Sequence, residues 1–147
     1  MVGKHPKRNP RPGVDRAGRT QLHYAAADGA VAEVVRLIEA GADPGAQDDN
    51  GWSPLHFAAQ ANSEAVTRIL IAAGASVDPR DSYGNTPLWR AVFSSNGDGA
   101  VIKFLRDAGA DPYTENASGV TPLSLARTIA NFDVAQFFSD LATSENT

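Results

Sequence analysis

The sequence predicts an all-α solenoid of about four helix-turn-helix units linked by β-turn hairpin loops, and three observations predict it. Four segments begin alike: Gly18-Arg19-Thr20-Gln21-Leu22-His23, Gly51-Trp52-Ser53-Pro54-Leu55-His56, Gly84-Asn85-Thr86-Pro87-Leu88-Trp89 and Gly119-Val120-Thr121-Pro122-Leu123-Ser124, at spacings of 33, 33 and 35 residues. A second phrase keeps the same beat in Ala40-Gly41-Ala42-Asp43-Pro44, Ala73-Gly74-Ala75-Ser76-Val77 and Ala108-Gly109-Ala110-Asp111-Pro112. Each unit also carries residues that start and stop helices where those phrases fall.

The units span about residues 14–46, 47–79, 80–114 and 115–142. Ser53, Thr86 and Thr121 can cap a helix with a side-chain oxygen, and Pro54, Pro87 and Pro122 follow at the first helical position, where a missing N–H costs nothing. The first helix presents small apolar residues such as Leu55, Ala58 and Ala59, which let neighbouring helices approach closely. A second helix follows, with Val34, Leu37 and Ile38 in one unit and Thr67, Leu70 and Ile71 in the next. Gly41, Gly74 and Gly109 end those helices as left-handed caps. Asn50-Gly51, Tyr83-Gly84 and Ser118-Gly119 then make the tight turns. The third unit has two extra residues within Ser94-Ser95-Asn96-Gly97-Asp98-Gly99, expected to project as an enlarged loop between its helices. Phe132, Val134, Phe137 and Phe138 give the final helix a heavy apolar face, while residues 1–12 and 143–147 are expected to be flexible ends.

At 147 residues, 42% hydrophobic and 20% charged, the chain has the size and composition of one globular domain. It has no cysteine, which excludes disulfides, thiolate metal sites and cysteine nucleophiles. Residues 1–19 hold six Lys/Arg and one Asp, a net of +5, leaving seven basic and sixteen acidic residues, a net of −9, in the remainder. Such a body disfavours nucleic acid and favours basic protein partners. No apolar run is long enough to span a membrane, and Met1 to Gly13 is basic and Pro-rich without a secretory signal's apolar segment, so a cytoplasmic location is expected.

Chemistry-bearing motifs are sparse. His5, His23 and His56 are too scattered for a metal site. Registering Gly51 as the sixth position of a calcium loop puts Ala46 at the first ligand and Phe57 at the twelfth, so that pattern fails. Asn96-Gly97-Asp98-Gly99 reads as a turn rather than a phosphate cradle, since it lies between helices and not after a strand. Asn116-Ala117-Ser118 fits the glycosylation sequon, but no secretory signal accompanies it. No catalytic constellation can be argued, so neither enzyme activity nor a cofactor or metal is expected.

Taken together, the phrases resemble the ankyrin repeat, whose pattern runs Asp-x-x-Gly-x-Thr-Pro-Leu-His-x-Ala-Ala and later Gly-Ala-Asp, over roughly residues 14–141. Asp15, Asp48 and Asp81 fall at the family's turn aspartate, with Asn116 in that place in the fourth unit. Departures are Gln21 for the first Pro, Trp89 and Ser124 for the motif His, and Arg127 for an Ala. The resemblance implies that His23 and His56 are structural, and that a partner protein is held on a concave strip of turn tips and first helices. The matching variable positions include Arg16, Arg19, Asp49, Asn50, Trp52, Ser82, Tyr83, Asn85, Gln60 and Phe93, among which Trp52, Tyr83 and Phe93 read either as aromatic anchors or as packing against the neighbouring unit, with the two readings balanced for Trp52 and Tyr83. Small stand-alone members resemble bacterial proteins, some of which are immunity proteins neutralising a cognate toxin; a monomer facing a basic toxin or effector is the corresponding expectation. The alternative is a structural adaptor acting through its basic N-terminal tail and C-terminal helix.

Overall fold

The computed structural model describes residues 12–141. Seven α-helices follow in pairs: α1 (Gln21–Ala27) with α2 (Val31–Glu39), α3 (Pro54–Gln60) with α4 (Glu64–Ala72), α5 (Pro87–Ser94) with α6 (Ala100–Asp107), and α7 (Pro122–Thr128), which is followed by a 3-10 helix, Val134–Phe138. No strand occurs among the described residues. The first helices α1, α3, α5 and α7 stack side by side in sequence order, and α2, α4 and α6 form a second row behind them.

The repeated sequence makes the repeated packing. Leu22, Leu55, Leu88 and Leu123 occupy one slot in the four first helices and are all buried. Each contributes about 1.5–3 kcal/mol of apolar burial. Ala26, Ala59 and Ala126 beside them are buried too, and their small side chains set how closely the helices lie. Val34 and Thr67 share a slot in the second row, where the Thr67 hydroxyl is satisfied by the Ser63 carbonyl at 2.7 Å.

Helix ends are fixed by local hydrogen bonds. Thr20, Ser53, Thr86 and Thr121 each accept from the backbone N–H three residues on. At the other end the N–H groups of Gly41 and Ala42 reach back to Ile38 and Leu37, a two-bond closure repeated at Gly74-Ala75 and Gly109-Ala110. It needs a left-handed residue, and φ at the three glycines is 96°, 96° and 100°.

Two expectations for the C-terminal part are corrected. The loop of the third unit does not project: Ser95 and Gly99 are buried, and the Phe132 and Phe137 rings lie against Gly97 and Gly99 so closely that a β-carbon on Gly99 would overlap the Phe137 ring. The final helix is a five-residue 3-10 helix that buries Val134 and Phe138 while Phe132 is 43% exposed. No further unit exists among the described residues to cover a full helix. Arg106 completes the end by donating to the Phe137 carbonyl at 3.0 Å and to both Asp140 carboxylate oxygens at 2.6 and 2.9 Å. Phe138 is thus buried in the fold and Phe137 half-covered by it, which leaves less of this segment to the C-terminal half of the adaptor reading. Expectations for residues 1–11 and 142–147 lie outside the described residues.

Candidate functional site

Four turn tips stand in a row, each built in the same way. Asp15, Asp48, Asp81 and Asn116 use one side-chain oxygen to accept two backbone N–H groups, two and four residues on, all at 2.8–2.9 Å. This local closure explains why Asp or Asn recurs there: a short acceptor replaces the backbone partners a loop lacks. Successive tips are then tied to one another. The N–H groups of Asp49, Ser82 and Ala117 donate to the carbonyls of Ala17, Asn50 and Tyr83 at 2.8, 2.9 and 2.7 Å.

Behind the tips, two buried imidazoles join the units. His23 Nδ1 accepts from the Thr20 N–H at 2.9 Å, so its Nε2 carries the hydrogen and donates to the Trp52 carbonyl at 2.9 Å. His56 repeats this between Ser53 (3.0 Å) and the Asn85 carbonyl (2.8 Å). Burial holds both histidines below the ordinary imidazole pKa, in the neutral form these bonds require. They are structural groups, with both ring nitrogens engaged.

On the face shared by turns and first helices runs a continuous row of rings and guanidinium groups. The Arg19 guanidinium lies 6.0 Å from the Tyr24 ring and 5.3 Å from that of Phe57, and pairs with buried Asp48 at 3.2 Å. The Phe57 and Trp52 rings are 4.8 Å apart. Arg90 sits 4.3 Å over Trp52 and 5.3 Å from Trp89, and Trp89 stacks on Phe93 at 5.4 Å with 15° between planes. Arg90 also reaches Asp81 at 3.4 Å. At its first end, the Tyr24 hydroxyl donates to Asp15 and holds that carboxyl below the usual carboxylate range. The row thus crosses three units and is held by cation–π and ring contacts.

The residues expected from sequence divide three ways. Arg16, Asp49, Asn50, Gln60 and Ser82 are exposed, as are Tyr83 at 69% and Phe93 at 60%. Arg19 and Trp52 are half-buried members of the row, so Trp52 belongs to the packing between units as much as to the surface. Asn85 is a correction: it is 5% exposed, its amide oxygen accepts from the Asn116 side chain at 2.9 Å, and its backbone is held by Asp81 and His56, so it offers nothing to a partner. Asn50 and Ser82 are brought together, the Ser82 N–H and hydroxyl both donating to the Asn50 carbonyl. Tyr24, Phe57 and Arg90 were missed. Their signal was available: each stands four residues after a capping Thr or Ser, at intervals of 33 residues, on the side of the helix that follows the turn.

Among the described residues no group of three or more His, Asp or Glu side chains could hold a metal, and no helix is long and apolar enough to cross a membrane. Comparison with family models matches ankyrin repeats, in three copies, over residues 22–116. Comparison with curated proteins finds no match.

Proposed function

The chain belongs to the ankyrin-repeat family, whose repeats are protein–protein interaction modules, and from that premise we propose that it binds a partner protein on the face built from its turn tips and first helices. One observation carries this reading: the row from Tyr24 to Phe93 leaves large rings at a surface that its own guanidinium groups hold in fixed orientation. Rings held in place lose little freedom on binding, and exposed aromatic side chains flanked by Arg are the chemistry of interface anchors. Tyr83, two-thirds exposed at the third tip, and Phe93 are the leading contacts, with Arg16, Arg19, Asp49, Asn50, Ser82 and Gln60 around them.

The finer reading is a basic partner. Sixteen acidic against seven basic residues beyond residue 19 favour encounter with a positively charged protein. A toxin masked by its cognate immunity protein is one such pair, with the bound module blocking the toxin surface by occlusion. Catalysis has no part in this mechanism.

The test is capture and affinity measurement with three forms of the protein. Wild type and Lys103→Ala, altered on the second helix row, should hold the same partner, while Tyr83→Ala combined with Phe93→Ala loses at least about 2 kcal/mol, roughly thirtyfold in Kd. Equal affinity for all three would move the interface off this face.

A further inference from the structure

The sequence contains two Asn-Gly pairs, Asn50-Gly51 and Asn96-Gly97, and both asparagines are exposed. We infer that Asn96 is a site of spontaneous deamidation in the folded protein and that Asn50, which also precedes a glycine, is shielded by its turn.

The chemistry starts from the backbone nitrogen of the following glycine, which has no β-carbon to hinder it. That nitrogen, on losing its proton, attacks the side-chain amide carbon of the asparagine. A C–N bond forms, the amide nitrogen leaves as ammonia after taking up a proton, and a five-membered succinimide remains. Water then adds to one of the two imide carbonyls and the C–N bond to that carbon breaks, giving aspartate, or isoaspartate in which the chain runs through the β-carbon. Solvent water is the sole co-reactant.

The fold separates the two sites. At Asn50 the attacking N–H of Gly51 is committed to the Asp48 carbonyl at 2.9 Å, and the Asn50 N–H to Asp48 Oδ1 at 2.9 Å. The Asn50 carbonyl accepts twice from Ser82, at 2.9 and 2.8 Å, and Gly51 backs onto the main chain of Asp81. Rotation of this peptide into an attacking geometry breaks several bonds at once. At Asn96 the backbone already stands at a φ of 49°, unusual for a residue with a side chain, and the N–H of Gly97 has a long 3.4 Å contact with Ser95 Oγ. Gly97 is covered by the Phe132 side chain rather than by main chain, so this long contact and one movable ring are what has to open before the nitrogen is free.

The location gives the change a consequence. Gly97 and Gly99 lie beneath Phe132 and Phe137, so the extra methylene of isoaspartate enters the loop that seats the C-terminal aromatic cover. Age would then loosen that end of the stack while the tips of the first two units keep their form.

The experiment incubates the full-length protein in mildly alkaline buffer and follows each Asn-Gly peptide by mass spectrometry, with enzymatic methylation of isoaspartate as a second readout. In the native protein the Asn96 peptide should convert at least about tenfold faster than the Asn50 peptide, the factor for one hydrogen bond to be opened. In concentrated urea the two rates should converge, because each asparagine is followed by glycine and the folded contacts that separate them are gone. Asn96→Gln should abolish the native-state conversion. Aged wild type should exchange amide hydrogens faster over residues 132–138. Native rates that are equal, or faster at Asn50, or an unequal ratio that persists in urea, would overturn the inference.

Discussion

His56 and Asn85 stand 29 residues apart in the chain and meet at 2.8 Å, the imidazole Nε2–H donating to the carbonyl that begins the next unit's helix. The opposite ring nitrogen is held by the Ser53 N–H, so one buried side chain caps its own helix and fastens the following turn. His56→Ala would leave a buried N–H and a buried carbonyl without partners, along with a small void. A loss of about 2–4 kcal/mol in unfolding free energy is expected, read from urea denaturation followed by helical circular dichroism. A cost below 1 kcal/mol would mean that neighbouring groups or water replace both bonds.

The same geometry sets a pH dependence. Burial lowers the folded-state pKa of His23 and His56, so below about pH 6.5 the unfolded chain binds protons that the folded chain does not. Stability is fully present above that pH and falls as the pH drops toward the depressed folded values, by at most about 1.4 kcal/mol per pH unit for each histidine. Carboxyls held low by hydrogen bonds, Asp15 to Tyr24 and Asp140 to Arg106, lose their contribution only in the more acidic range near and below about pH 4. Urea midpoints between about pH 7 and about pH 5 should therefore decline, and the decline should flatten when His23 and His56 are both replaced by Asn.

The parts of this fold legible in the sequence are those in which the backbone dictates a residue type. A left-handed helix end wants Gly41, Gly74 and Gly109, a turn that closes on its own side chain wants Asp15, Asp48, Asp81 or Asn116, and a helix start wants Ser53 with Pro54. The candidate site is less legible because its positions are variable in the repeat, and their exposure depends on neighbours a third of a hundred residues away. Asn85 occupies the slot of Arg19 and Trp52, yet its short amide turns inward because Asn116 offers it a donor. Trp52 looks free in the pattern and is half-covered because Arg90 arrives from the next unit. The segment after α7 is hard to read from sequence for a related reason. Val134 and Phe138 are spaced for an α-helix, yet the segment closes as one 3-10 stretch whose terminal Phe137 carbonyl is met by Arg106 from α6, a partner no periodicity reveals.

Substitution of the motif histidine should leave a weak seam. Units one and two are joined by His23, units two and three by His56, but Trp89 holds that place before unit four, where its indole nitrogen is buried without a partner. The third and fourth turns are tied by Ala117 to Tyr83 and Asn116 to Asn85 instead. Hydrogen exchange in α7 should open at a free energy about 1–2 kcal/mol below that of α1, which is also terminal but keeps its imidazole. Equal protection of the two end helices would show that the missing bridge costs nothing.

The fit of the third unit's loop beneath the C-terminal aromatics can be broken with one atom. Gly99→Ala places a methyl group inside the Phe137 ring, which the Phe137 carbonyl, bonded to Arg106, keeps from sliding away. We expect a destabilisation of about 1–3 kcal/mol, with early proteolysis confined to the segment after Thr128. Gly45→Ala, at a glycine whose added methyl has room and whose φ is not left-handed, is the matched control and should change little.

The two exposed aromatics and the half-buried one should separate stability from binding. Trp52 contacts His56, Phe57 and Arg90 at once, so Trp52→Ala removes packing on both sides of the joint between the second and third units and should cost about 1–3 kcal/mol of stability. Tyr83→Ala removes a ring two-thirds exposed to solvent and should fall within about 0.5 kcal/mol of wild type. Phe93→Ala lies between them, losing the stack on Trp89, worth about 0.5–1.5 kcal/mol. Thermal unfolding of the three variants should rank them in that order. Because Tyr83 and Phe93 can be truncated with the fold intact, a partner lost on their removal is lost from the surface, whereas loss on Trp52→Ala alone could come from a loosened joint. If Tyr83→Ala proved as destabilising as Trp52→Ala, the third tip would be part of the packed structure and the anchor would have to be sought along α5.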